Sequence, residues 1–244
     1  MTLDPNSSVL TRALDYPYAA HPAEYLFHGG QAVPLTADYP LNGLVPVIAV
    51  GSNRAPEQLA RKYAGWEVAI PVTRHRARDV DVVYAAHMAS YGAIPATLIA
   101  SPGTLVELWI TWLNDAALAR MDATEAVGVN YDRMNVSIVF EDGGRRAPSS
   151  ALLYSARRGA LQLDGQPIAL AAIPASRRRY EPMAMGPLLR QVHARHGGGA
   201  FEGWLMGRIG QTGHAARQIL IENLAAEARI EPLRQISGDQ AAER

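Results

Sequence analysis

Four groups of residues have the types and spacing to do chemistry. The first is Val50-Gly51-Ser52-Asn53-Arg54, which breaks the apolar run 45–50 from a segment opened by Pro56. Glycine permits a tight turn and close backbone approach. Backbone N–H groups at a turn leading into a helix form a concavity that favours anions. Ser52 and Asn53 would add side-chain donors there, and Arg54 would add charge. The same residues also read as an ordinary strand-to-helix turn capped by Ser52 or Asn53. Their spacing matches neither a Walker loop nor a dinucleotide fingerprint. The second group centres on Glu125. Leu118 and Glu125 are seven positions apart, so on a helix they differ by only about 20°, with Met121 about 40° further round. If that face is buried, the carboxylate points inward. Burial disfavours the charged form of a carboxyl group and suits it to general acid/base work. Asp122, about 60° away, is a second carboxylate or a solvated one. The alternative places Glu125 at the helix end, in water.

The third group is Tyr84, His87, Tyr91, Tyr131 and Tyr154. Their polar tips could line a pocket, or they could be half-buried core residues with satisfied hydroxyls. The fourth is His193 and His196, three apart on a helix and able to share a metal. No HExxH pattern or third ligand accompanies them, and histidines in a last helical turn are favoured by the dipole. No metal site is therefore expected. Of the 23 basic residues only Lys62 is lysine. It sits in an ordinary polar helical segment, which argues against a Schiff-base mechanism.

The elements that must position these groups follow from pattern. Residues 1–44 read as an irregular leader, punctuated by Pro5, Pro17, Pro22, Pro34 and Pro40. Its dense aromatics should pack it on the body. A buried strand at 45–50 leads through the Gly51 break to a short helix with Pro56 in its first turn. Strand-like segments follow near 67–74, 79–88, 94–100 and 105–113. A helix comes next, capped by Asn114 or Asp115 with a body from Ala116 to Glu125. Strands resume at 131–140 and 151–157, and Asp164-Gly165 is a hairpin turn signal. Arg145, Arg146, Arg157, Arg158, Arg177, Arg178 and Arg179 make an arginine-rich stretch with an expected solvated face. Two helices should close the chain, at about 187–196 and, with Thr212 as cap, 213–228. Many strands with one embedded helix give an α+β or barrel-like class. The expected division is a leader over 1–44, a body over 45–180 and a helical extension over 181–244.

Composition bounds the chemistry. An apolar content of 48% over 244 residues is enough to bury a core. Basic and acidic residues balance at 23 each, against a generic nucleic-acid or anionic-membrane binder. Cysteine is absent, which excludes disulfide scaffolds and thiol chemistry. The N-terminal residues lack a signal-peptide pattern, and no apolar run reaches about 18 residues, so a cytoplasmic protein off the membrane is expected.

Taken in order, these motifs resemble one family. A strand leads into Gly51-Ser52-Asn53 and a helix. Then come Ile94-Pro95-Ala96-Thr97-Leu98, Ser101-Pro102-Gly103 and the segment from Leu118 through Asp122 to Glu125. Tyr131 opens a strand and Tyr154 lies in another. The combination resembles the gamma-glutamylcyclotransferase-like superfamily over roughly residues 45–157. The resemblance implies an α+β fold, a small mixed β-barrel with an embedded helix, here followed by C-terminal helices. It implies that Val50, Gly51, Ser52, Asn53 and Arg54, with Tyr131 and Tyr154, hold a substrate bearing a γ-glutamyl or similar carboxylate group. Glu125 would be the acid/base, and no metal or other cofactor is implied. Three positions depart from the family pattern. Val50 replaces a tyrosine, Ala126 follows the glutamate where glycine is usual, and Leu108 stands where a small residue is common. The implied activity is cyclisation of a γ-glutamyl amine to 5-oxoproline. A non-catalytic carboxylate-binding domain on the same scaffold, and an assembly module acting through the C-terminal helices, stay open beside it. A homo-oligomer stays open too.

Overall fold

The structure, a computed structural model, describes residues 5–141, 147–229 and 233. Helix α1 (Pro5–Leu14) comes first, then a hairpin of β1 (Tyr25–His28) and β2 (Gln31–Pro34). The leader expected as irregular is thus partly regular. Pro5 opens the helix, where its missing N–H costs nothing. Gly29 and Gly30, both at positive φ, make the two-residue turn that the hairpin requires. Tyr16 and Tyr18 are 6% exposed, Tyr25 and Phe27 lower still, and Tyr39 is half-buried.

Strand β3 (Val45–Ala49) leads through a short 3₁₀ turn at Ser52–Arg54 into α2 (Pro56–Lys62). The four strand signals that follow merge into two long strands, β4 (Ala69–Tyr84) and β5 (Ala96–Leu113). The expected breaks are absorbed as a register shift after Arg78, where Asp79 and Gly103 adopt positive φ. The Gly103 amide donates to Asp79 Oδ1 at 2.8 Å, so the irregularity is locked across the ladder. Helix α3 (Asp115–Thr124) follows, with the Asn114 side chain accepting from the Ala117 amide. Then come β6 (Tyr131–Ser137), β7 (Ser150–Ala156) and a hairpin of β8 (Gln162–Leu163) and β9 (Gln166–Pro167), turned at Asp164-Gly165 as expected. Short strands β10 (Ala169–Leu170), β11 (Ala175–Ser176) and β12 (Pro182–Met183) precede helices α4 (Met185–His196), α5 (Phe201–Met206) and α6 (His214–Ala226). Helix α5 was not expected. Gly213, not Thr212, caps α6.

The main sheet runs β12-β10-β4-β5-β3-β7-β6, with β1 also paired to β4 and β11 to β5. It is mixed: β3 and β7 pair in parallel, while β4–β5 and β6–β7 are antiparallel. The fold class is α+β, as expected. The barrel is not closed. Among the described residues, the return from β6 to β4 consists of the Ala77–Phe140 bridge and hydrogen bonds from Arg78 N to Val139 O and Glu141 N to Arg76 O. Both faces of β3 are covered, which is why it reads as a short apolar run, whereas β4 alternates buried residues with exposed Arg74, Arg76 and Arg78. Val47, Ala49, Trp109 and Leu113 pack with Leu59 of α2 and Met121 of α3. Alternate residues Ile48, Leu108 and Ile110 belong to a second cluster with Leu188, Trp204 and Leu220 of the C-terminal helices. Arg145 and Arg146 lie outside the described residues. Arg178 is no solvated arginine: it forks onto the fully buried Asp81. Among the described residues no helix is long and apolar enough to cross a membrane.

Candidate active site

One cavity of about 400 Å³ gathers most of the residues singled out above. Val50, Gly51, Ser52, Asn53, Glu125, Tyr131 and Tyr154 all line it. Strand β3 delivers the Gly51 loop. The Tyr25 hydroxyl ties that loop down by donating to the Arg54 carbonyl at 2.9 Å. Outside the 3₁₀ turn's own bonds, no backbone carbonyl among the described residues accepts from the Gly51, Ser52 or Asn53 amides. Donors of that kind at the mouth of a helix can receive a carboxylate.

Glu125 stands one residue beyond the α3 body, as its C-cap. Its backbone N–H donates to the Met121 and Asp122 carbonyls. The next residue, Ala126, turns the chain at φ +50. The side chain is 14% exposed, so it does not lie in water. Neither does it stand alone in an apolar wall. Its Oε1 accepts from Asn53 Nδ2 at 2.8 Å and pairs with the ammonium group of Lys62. Asn53 Oδ1 is buried without a partner. The loop and the carboxylate are therefore joined directly inside the cavity.

Lys62 corrects the reading of it as an ordinary polar-helix residue. Its side chain is only 6% exposed, and its ammonium group also touches Met121 Sδ at 3.3 Å. The last turn of α2 aims it at the end of α3. The faint signal available was that it is the chain's single lysine.

Arg54 is not brought to the cavity. It is 4% exposed, and its guanidinium donates to the Ala172 carbonyl at 3.1 Å, away from the lining. Burial lowers its pKa, opposed by the nearby Glu107. Tyr131 and Tyr154 do line the site, but their hydroxyls are committed within the protein. Tyr131 donates to the Ala96 carbonyl at 3.2 Å, and Tyr154 to Asp122 Oδ1 at 2.6 Å. Asp122, further held by Arg133, is thus a support for Tyr154 and not a second cavity carboxylate. Burial raises both phenol pKa values, and for Tyr154 the Asp122 carboxylate adds to it.

His87 and Tyr91 also line the cavity, whereas Tyr84 donates to the Met183 carbonyl elsewhere. His87 is 1% exposed, its ring is edge-on to Tyr131, and its Nδ1 has no partner. Burial, with Arg158 adding to it, lowers its pKa to about 3, so the imidazole is neutral at physiological pH. Two wall segments lie outside the stretch that carries the family resemblance: Tyr16 from the leader, and His214 and Arg217 with their neighbours on α6. Arg217 is buried and donates to the Gly210 carbonyl at 3.0 Å. His193 packs against Phe201 and Trp204, and among the described residues no group of three or more His, Asp or Glu is arranged to hold a metal ion.

No family model matches the chain, and no curated protein matches it. Solved structures similar to it include these three. One, named gamma-glutamyl cyclotransferase, has 20% identity and a TM-score of 0.35, over 46% of this chain and 66% of that one. The match thus spans just under two thirds of that structure's length. A protein of Arabidopsis thaliana solved in solution has 18% identity and a TM-score of 0.37, over 50% of this chain and 74% of its own. A human protein titled as uncharacterized has 15% identity and a TM-score of 0.38, over 81% of this chain and 96% of its own. The chain is similar to solved structures that include a gamma-glutamyl cyclotransferase, the family its motifs resemble.

Proposed function

We infer that the chain is a cytoplasmic enzyme of the gamma-glutamylcyclotransferase type, closing a γ-glutamyl amine into 5-oxoproline and releasing the amine. The observation that carries this reading is the bond from Asn53 to Glu125, which joins the anion-receiving loop to the carboxylate within one cavity. The substrate's carboxylate would lie on the Gly51–Asn53 amides. Its α-amine would face Glu125 and the unpartnered Asn53 Oδ1, an acceptor. The amine nitrogen attacks the γ-carbonyl carbon, and a C–N bond forms as Glu125 takes the proton. The oxyanion is stabilised by the nearby N–H groups. As it collapses, the amide C–N bond breaks and Glu125 returns the proton to the leaving nitrogen. Atoms balance without a co-reactant. Attack within one molecule removes much of the entropic barrier. Lys62 is a positioning residue that fixes the carboxylate.

That same ion pair favours a second reading. A carboxylate neutralised by an ammonium group is less free to accept a proton, and the chain would then bind a small carboxylate without turning it over.

The deciding experiment incubates the protein with a panel of γ-glutamyl amines and measures 5-oxoproline. Under the enzyme reading the wild type forms product, and Glu125→Gln slows it by about 10²–10⁴-fold with little change in affinity. Binding by the wild type with no product favours the binding domain. Full turnover by the Gln variant removes Glu125 as the acid/base.

A further inference from the structure

Tyr16 lies far from the stretch that carries the family resemblance, in the segment that follows α1. Its side chain nevertheless lines the cavity and is 6% exposed. Its hydroxyl oxygen accepts from the Ala96 amide at 2.9 Å. A hydroxyl that accepts keeps its own hydrogen for a further partner. Among the described residues no acceptor is paired with it. The hydroxyl stands over the Gly51 loop: a Cβ on Gly51 would come within 2.0 Å of Tyr16 Oη. Gly51 therefore leaves room for this group, beside amides with no backbone partner outside their own turn among the described residues. Val50, next in the chain, has no polar side-chain atom to serve there. Tyr131 and Tyr154 line the same cavity but have given their hydrogens to Ala96 and Asp122.

We propose that the Tyr16 hydroxyl is a substrate contact, donating to a carboxylate oxygen of a ligand seated on the Gly51–Asn53 amides, so that the N-terminal segment completes the site. The proposal rests on the carboxylate-binding role of that loop. Burial raises the Tyr16 pKa, which keeps the hydroxyl a donor throughout the working range. A hydrogen bond to a charged group is worth about tenfold or more in affinity.

The test is calorimetric titration of the full chain with 5-oxoproline, alongside thermal melts, for the wild type, Tyr16→Phe and Tyr18→Phe. Tyr18 is the control: it is buried in the same segment, edge-on to Tyr16 at 6.2 Å, with an unpartnered hydroxyl and no place in the cavity wall. Tyr16→Phe should weaken binding at least about tenfold while Tyr18→Phe binds as the wild type does. Equal affinity for wild type and Tyr16→Phe, whatever happens to the melting temperature, overturns the proposal and leaves the loop's role standing. A wild type that binds no 5-oxoproline overturns the loop's role and this proposal together. Should Tyr16→Phe not fold, a structure of the wild type with 5-oxoproline decides. A carboxylate oxygen within hydrogen-bond distance of Tyr16 Oη upholds the contact, and a carboxylate bound elsewhere overturns it.

Discussion

Glu125 and Lys62 share one ion pair in a mostly closed space, and their substitutions should not be independent. Glu125→Gln keeps the shape but leaves the buried ammonium group of Lys62 without its anion. Breaking a buried pair costs about 3–5 kcal/mol, and the amide oxygen, still an acceptor, offsets part of this, so the variant should melt lower than the wild type. Adding Lys62→Met to Glu125→Gln should recover most of that loss, because the remaining amide has no buried charge to face. Differential scanning calorimetry of the two singles and the double checks this. A Gln variant as stable as the wild type would mean that water reaches the ammonium group. His87 makes a pH prediction. Burial lowers its pKa to about 3. In the unfolded chain an imidazole binds a proton near pH 6.5. Between those values the unfolded state holds the extra proton, so acid favours unfolding. The stability tied to neutral His87 is complete above about pH 6.5 and is lost as pH falls towards 3, by at most about 1.4 kcal/mol per unit. Urea melts at pH 6.5 and 5 should therefore show a steeper loss for the wild type than for His87→Gln. Equal slopes would show that the ring takes up a proton without unfolding.

At the scale of elements, α3 is the piece whose ends matter most. Asn114, one of the two caps the local pattern allowed, closes its start, and its last turn hands Glu125 to the cavity. The turn after it is made by Ala126 at φ +50, a left-handed conformation that suits glycine. An L residue pays about 1–2 kcal/mol there, and glycine gives back about 0.5–1 kcal/mol in backbone entropy. Ala126→Gly should thus raise unfolding free energy by about 0.5–1 kcal/mol, measured by urea denaturation. A lowered stability would mean that the alanine methyl makes contacts outweighing the strain. The long strands teach the opposite lesson. The sequence leaves 75–78 and 101–104 between strand-like segments. Asp79, just after the first, and Gly103, within the second, take positive φ, which would break an isolated strand. Paired across the ladder, they become a single shared irregularity that the strands run through.

Across the whole molecule, the Asp81–Arg178 fork ties β4 to the chain 97 positions later. Asp81 is fully buried, and burial keeps its pKa above the ordinary carboxyl value even with Arg178 pulling it down. Arg178 also reaches the Ile173 carbonyl at 3.1 Å. Breaking a buried pair by removing one partner costs about 3–5 kcal/mol, whereas replacing both by apolar residues is often near neutral. Asp81→Leu should therefore destabilise strongly, and Asp81→Leu with Arg178→Met should regain most of the loss in equilibrium denaturation. A double variant no better than the single would place the importance in Arg178's contacts to carbonyls. The pair also shows what an arginine count conceals. Seven arginines over residues 145–179 read as solvated charge, yet one of them is an internal brace.

Local chemistry made much of this protein legible in its sequence. Turn residues placed the Gly51 break and the Asp164-Gly165 hairpin, because φ preferences act within two or three residues. Capping and periodicity placed α3 and α4, because a helix closes its own hydrogen bonds. The α+β class followed from the order of those elements. The loop was read from its turn residues, whereas Glu125 was singled out by the face it shares with Leu118 and Met121 and given its role by the family resemblance. What only the tertiary structure decided is what those ends face. Lys62 meets Glu125 across 63 positions, and Tyr16 meets Ala96 across 80. Arg54, one residue beyond the cavity loop, turns to Ala172 instead. None of these pairings is a local preference. Each depends on how the strands curl and on which helix covers which face, and that is settled by packing the whole core at once.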